Sequence, residues 1–223
     1  SSFSGLVGLS IPKRQATICI NSCRITKEIF PHTLLHGPGG VGKTTFARSI
    51  ANELGYYFVE CEAYVFLNSL TLVQYLIDKD KLSKETGKPL LLFVDEIHRM
   101  NLKMQEVLYF PMKEFRVLYD MSYVSLKPFC LIGATTRKDM LNDESFVKRF
   151  VNVWSLPLYE DYHIGHIISN YFKQQRVIFK PEHIKLISVR CFGNPRFALN
   201  ISIKIRDHLL SRDSVARILS DKD

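Results

Sequence analysis

Eight consecutive residues, Gly37-Pro38-Gly39-Gly40-Val41-Gly42-Lys43-Thr44, have the types and spacing to hold a polyphosphate. Glycines let backbone N–H groups turn inward on phosphate oxygens, the Lys43 ammonium can reach the β and γ phosphates, and the Thr44 hydroxyl can hold Mg²⁺. Thr45 follows on the same turn. A second constellation is Asp95-Glu96, which closes the apolar run Leu90-Leu91-Leu92-Phe93-Val94. Carboxylates at the C-terminal end of a buried parallel strand face the phosphate loop. Asp95 then joins Thr44 as a Mg²⁺ ligand, and Glu96 polarises the attacking water of a phosphoryl transfer. ATP and Mg²⁺ are the cofactors this pair of motifs calls for.

The motifs work only if particular elements position them. A phosphate loop needs a strand before it and a helix after it. Thr33-Leu34-Leu35 supplies the strand, and the stripe Phe46, Ala47, Ile50, Ala51 and Leu54 predicts a helix from Lys43 that Gly55 stops. The positive end of that helix favours bound anion. Further strands are predicted at 57–59, 90–94, 129–132 and 151–154. Helices are predicted at 70–77, capped by Asn68 or Ser69, and from Asn101 through 112. Ahead of the first strand, a leading loop and a helix are expected, with Pro12 in the first turn and Ile18, Cys19, Ile25 and Ile29 as its apolar face. Strands alternating with helices predict a parallel α/β sheet with right-handed crossovers. Beyond Pro157 helical periodicity takes over, broken at Lys180-Pro181 and Gly193-Asn194-Pro195. The expected architecture is therefore a large α/β nucleotide-binding domain over 1–157 and a small all-helical lid over 158–223.

Composition excludes several classes. Hydrophobic residues make up 46% and charged residues 23% of the 223, as in ordinary globular chains rather than disordered ones. No apolar run approaches the roughly 18 residues that span a bilayer, so no membrane association is expected. The chain starts at Ser rather than Met without a basic-then-apolar leader, and is read as a segment of an intracellular, cytoplasmic protein. Its five cysteines are scattered; Cys19 and Cys23 fall one helical turn apart, but no second pair with metal-ligand spacing accompanies them. Reduced thiols are expected. The net charge is +8, and residues 171–223 hold 11 Lys or Arg against 5 Asp or Glu. Such a basic end is either a polyanion contact, DNA included, or a solvated helical face.

Two strings make the reading more specific. Asp95-Glu96-Ile97-His98-Arg99 followed by Leu131-Ile132-Gly133-Ala134-Thr135-Thr136-Arg137 resembles the RuvB family, a branch of the AAA+ P-loop ATPases that forms hexameric motors on Holliday junctions. The similarity runs from about residue 3 to 210. The resemblance implies roles for further residues. Thr136 falls at sensor 1, which aligns the lytic water or the γ phosphate. Arg149 falls at the arginine finger given to a neighbouring subunit's ATP, and Arg196 at sensor 2 in the small helical domain. Tyr159 falls at an aromatic near the nucleotide, and Leu6-Val7-Gly8 resembles the loop lining the adenine pocket. Alone, Arg149 reads more readily as a surface cation and Arg196 as a helix-start residue; their register with the acidic and phosphate motifs favours the functional reading.

The resemblance implies an ATP-driven DNA translocase assembled as a homo-oligomeric, hexameric ring with a RuvA-like partner. The alternative is a clamp-loader-like switch ATPase that assembles or remodels a protein–DNA complex. A structural subunit without turnover is disfavoured by the intact Glu96, Thr136 and Arg149. Three departures stand out. Gly39 replaces the family's usual proline, and the stretch 116–127, which forms the family's RuvA-gripping β-hairpin, is shorter than in typical members. The family's winged-helix domain, with its main DNA contacts, lies outside this segment or outside the protein.

Overall fold

A computed structural model describes residues 3–220, with the exception of 142, 176 and 178. In chain order the elements are α1 (Ser10–Thr26), β1 (Thr33–His36), α2 (Lys43–Leu54), β2 (Tyr57–Glu62), α3 (Ser69–Thr86), β3 (Leu90–Asp95), α4 (Leu102–Val107) and α5 (Tyr109–Glu114). There follow β4 (Arg116–Tyr119), β5 (Ser122–Ser125), β6 (Cys130–Thr135), α6 (Glu144–Val147), β7 (Asn152–Ser155), α7 (Asp161–Gln174), α8 (Pro181–Val189) and α9 (Pro195–Ser220). Five strands form one parallel sheet in the order β2-β3-β6-β1-β7. The expected α/β sheet is present. Its centre explains the apolar runs: every residue of β6, and every residue of β3 before Asp95, is buried, as strands covered on both faces must be.

By compactness the chain divides into two units, Ser1–Gly39 with Lys43–Pro157, and Gly40–Gly42 with Leu158–Asp223. In the first, a core of Leu34, Leu92, Leu131, Ile97, Phe146 and Phe150 ties the sheet to the helices on one face. Trp154 of β7 meets Phe30 and Phe46 edge-on at 6.3 and 6.2 Å. Gly133 has no side chain for a reason of space: a Cβ there would lie 2.7 Å from Ile97 Cδ1 and 3.3 Å from Phe150 Cζ.

His32, just ahead of β1, is buried and bridges two elements. Its Nδ1 accepts the Leu131 N–H at 2.9 Å, which leaves the proton on Nε2 to be donated to the Met112 carbonyl, also at 2.9 Å. Burial holds its pKa down to about 4.

Several elements differ from the sequence expectation. The buried face of α1 is Pro12, Ala16, Ile20 and Cys23, while Ile18 and Ile25 are exposed. Small residues at helical spacing line the seat with Ile20; Ile18 and Ile25 lie on the other side, and Ile29 falls beyond the helix end. α3 continues past 77 to Thr86, because its charged second half is anchored: Asp80 is buried, accepts the Lys127 N–H at 2.7 Å and pairs with Lys84. Asn68 caps it in a reciprocal box with Thr71. The helix begun by Asn101 breaks after Val107 and resumes at Tyr109. Pro111 offers no N–H to the carbonyl four residues back, and its ring crowds that carbonyl.

The stretch 116–127 does form a hairpin. β4 and β5 pair antiparallel through Asp120 and Met121, both at positive φ as a two-residue hairpin turn requires. Leu118, Tyr123 and above all Met121, 95% exposed, stand out to solvent. All five cysteines are free.

The second unit is helical after residue 160. Ile164, Ile168, Phe172, Cys191 and Ala198 form its centre. Asn194 Oδ1 accepts the N–H groups of Arg196 and Phe197 at 3.0 and 3.2 Å, capping α9 with Pro195 as its first residue. In the same unit the Arg196 N–H reaches the Gly40 carbonyl at 3.3 Å. Of the basic excess over 171–223, Arg176 and Lys222 lie outside the described residues.

Candidate nucleotide site

Parallel strands present all their C-terminal ends on one edge, and ligands bind there. Three neighbours, β3, β6 and β1, deliver the sequence motifs to that edge. The phosphate loop leaves β1 at Gly37, whose N–H donates to the Thr135 carbonyl at 3.2 Å. Gly37 has φ +155°, and a Cβ on it would fall 2.1 Å from the Leu156 carbonyl oxygen, so only glycine fits. At Gly39, by contrast, a side chain meets open space, and the exchange of the family's proline for glycine is without steric consequence.

Lys43 opens α2 and is buried. Its ammonium donates to the Gly37 and Pro38 carbonyls at 2.9 and 3.0 Å. Thr44 is half-buried in the first helical turn, and Thr45 beside it is exposed. Leu6 and Val7 are half-buried. Phe3 packs on Phe46 of α2 at 5.6 Å, which sets this leading turn against the phosphate-loop helix.

At the end of β3, Asp95 Oδ1 accepts the Glu96 N–H at 2.9 Å. Glu96 itself adopts a left-handed backbone, φ 49° and ψ 45°, uncommon for a residue with a side chain. Such strain costs on the order of 1–3 kcal/mol and persists only where the surroundings enforce it. Here the reward is contact. The Thr136 hydroxyl lies 3.0 and 2.9 Å from the two Glu96 carboxylate oxygens, and its N–H donates to Oε2 at 3.3 Å. His98 Nδ1 lies 3.1 Å from the same Oε2 and 2.8 Å from the Thr135 hydroxyl, which also accepts the Arg137 N–H at 2.9 Å.

Thus Glu96 and Thr136 meet directly. His98 and Thr135 complete the network, with no role assigned to them from the sequence. His98 stood inside the motif string, and its one-turn spacing from Asp95 was the available signal.

Arg149, after α6, lies with its guanidinium carbon 3.9 Å over the Tyr109 ring, and its Nη1 donates to the Tyr109 carbonyl at 3.5 Å. Tyr109 in turn donates its hydroxyl to Asp143 Oδ2. That bond raises the Tyr109 pKa and lowers that of Asp143. In the second unit Tyr159 is half-buried, its N–H on the Gly193 carbonyl at 2.8 Å, and burial pushes its pKa up to about 12. Arg196 is exposed.

Both cofactors suit what is present. Glycines at positive φ ahead of a helix N-terminus form an anion cradle, and Thr44 with Asp95 is a hard-oxygen donor set of the kind Mg²⁺ accepts. Among the described residues no group of three or more His, Cys, Asp or Glu converges on a metal. Mg²⁺ needs none, since phosphates and water fill most of its shell.

Comparison with known proteins decides the family. A profile described as the Holliday junction DNA helicase RuvB P-loop domain matches residues 1–156. The chain belongs to the RuvB family. The RuvB of Thermosipho melanesiensis, a Holliday junction branch migration complex subunit, is 30% identical over 217 residues, covering 94% of this chain and 67% of that protein. The RuvB of Streptococcus agalactiae is 33% identical over 210 residues, covering 91% and 61%. The solved structure of Thermotoga maritima RuvB, a Holliday junction branch migration motor, superposes with a TM-score of 0.79 at 27% identity, over 95% of this chain and 66% of that one. The RuvB-type chain therefore spans about two thirds of the length of the relatives it matches, and its sheet is that of the RuvB P-loop structures. Among its described residues no helix is long and apolar enough to cross a membrane.

Proposed function

We propose that this RuvB-type chain binds and hydrolyses ATP at the β1–β6–β3 edge and couples the reaction to branch migration or translocation of DNA. The observation that carries the reading is the Glu96 carboxylate held by the Thr136 hydroxyl and His98 at the strand end next to the phosphate loop. That is where a group must sit to orient a water against the γ phosphate. Gly37 to Thr45 cradle the phosphates with Lys43 as the point charge, while Leu6, Val7 and Tyr159 line the base and Arg196 touches the phosphates. Thr44 and Asp95 are the protein oxygens for Mg²⁺, which when bound neutralises charge developing on the transferred group. Thr136, whose hydroxyl is hydrogen-bonded to Glu96, aligns the lytic water or the γ phosphate. Arg149 completes a neighbouring subunit's site, which makes a homo-oligomeric ring, hexameric by family likeness, the active form.

Apolar side chains on the hairpin, Leu118, Met121 and Tyr123, suit it to dock a RuvA-like partner. The setting is the cytoplasm. Steady-state ATPase turnover of the intact protein with no DNA, duplex and four-way junction tests the coupling. Stimulation greatest with the junction is expected; indifference to all DNA would overturn the motor reading in favour of a protein-directed switch.

A further inference from the structure

Among the described residues no carboxylate is ion-paired with Arg149, which rests on an aromatic ring instead. Its guanidinium is half-buried, its Nε is buried with no hydrogen-bond partner among the described residues, and its face rests 3.9 Å above the Tyr109 ring. A guanidinium stacked on an aromatic keeps its charge and its planar donor edge while losing rotational freedom. An ion pair would instead engage the donors that a phosphate needs. The ring is itself fixed at both ends. Its backbone lies in the first turn of α5, whose Met112 carbonyl takes the His32 Nε2–H, and its hydroxyl is held by Asp143. Asp143 uses its other oxygen to accept the Ser145 N–H at 2.8 Å, capping α6, the short helix that Arg149 follows. One carboxylate therefore fixes both the aromatic platform and the helix that carries the arginine.

We propose that Tyr109, locked by Asp143, is a positioning residue that pre-orients Arg149 for the phosphates of a neighbouring subunit's nucleotide. This rests on the reading of Arg149 as a finger acting in trans. Tyr109 never touches nucleotide; it acts by sparing the arginine a search among rotamers, and a misplacement near 1 Å can cost about 10²-fold in rate.

The test places the lesion on one side of the interface at a time. In mixed oligomers of intact protein, Lys43→Ala subunits supply only fingers and Arg149→Ala subunits supply only nucleotide sites. Tyr109→Leu is added to one or the other. On the finger-supplying subunit it should lower kcat about 10- to 100-fold with the KM for ATP within about twofold. On the site-supplying subunit it should change neither. Tyr109→Phe, which keeps the ring but loses the Asp143 lock, should restore the rate only in part. Should Tyr109→Leu not fold, Tyr109→Met makes the same comparison.

Equal losses from both placements, a change confined to KM, or no loss from the finger side would each overturn the proposal. The reading beneath it fails differently. If unmixed Arg149→Ala protein turns over at the wild-type rate, Arg149 is no finger, whatever Tyr109 does.

Discussion

Glu96 and Arg149 carry opposite charges at two corners of the same unit, and they are held by opposite means. Glu96 is gripped by hydrogen-bond donors, a hydroxyl, an amide and an imidazole, all supplied by the ends of β3 and β6. Arg149 is backed by an aromatic face and gives one N–H to the Tyr109 carbonyl. The first arrangement fixes direction through bonds that the sheet register dictates. The second fixes direction through a flat surface and leaves donors available. On the proposed reading, a carboxylate that holds one water gains from being bonded, whereas an arginine offered to another subunit gains from being aimed with most of its donors left for the phosphates.

The sharpest test of the contrast is at the bonded corner. Glu96→Gln keeps size and one acceptor oxygen but removes the charge that polarises water, so ATP binding should persist while turnover falls by about 10³-fold or more. Calorimetry beside single-turnover hydrolysis checks it. Lost binding, or undiminished turnover, would break the distinction between holding nucleotide and attacking it. At the aimed corner, Arg149→Ala should bind ATP nearly as well as wild type yet lose ~10³-fold in kcat, about 4 kcal/mol of transition-state stabilisation. Unlike Glu96→Gln, it should be rescued by mixing with Lys43→Ala, since some interfaces then join a sound loop to a sound arginine. A mixture that stays inactive although mixed oligomers form would place Arg149 within its own subunit's business.

The smallest effect concerns the tie between the corners. His32 links β6, which bears Thr136 at its end, to α5, which bears Tyr109. Its folded pKa, about 4, lies below the ordinary value of 6.5. Between those values the unfolded chain binds the extra proton and the folded one does not. Stability is therefore complete above about pH 6.5 and falls as pH drops toward 4, by a total of about 3 kcal/mol. Melting curves of wild type and His32→Gln across pH 4 to 7 should show a shallower acid slope in the variant. Equal slopes would exclude His32 as the titrating link.

The bonded corner was legible in sequence because a parallel sheet leaves little choice. Apolar runs at 90–94 and 129–132 with polar residues at their ends can only place Asp95, Glu96 and Thr136 on one edge, and Gly37 to Thr44 announces the adjoining strand. The aimed corner was not. Tyr109 and Arg149 are 40 residues apart, and cation–aromatic stacking has no period. α1 misled for a related reason: isoleucines draw the eye, whereas the seat against α2 admits Ala16 and Cys23. Likewise nothing in the apolar pattern over 101–112 marks the break after Val107; Pro111 does, once its missing N–H is counted.

Gly133 gives the two corners a common bearing. Ile97, next to Glu96, and Phe150, next to Arg149, both press on the space where its side chain would be. Protein interiors are close to incompressible, so neither neighbour can shift into that space without the other giving way. The glycine thus works as a fulcrum of atomic width. A Gly133→Ala exchange would therefore displace the side chains beside Glu96 and beside Arg149 together, through van der Waals contacts alone.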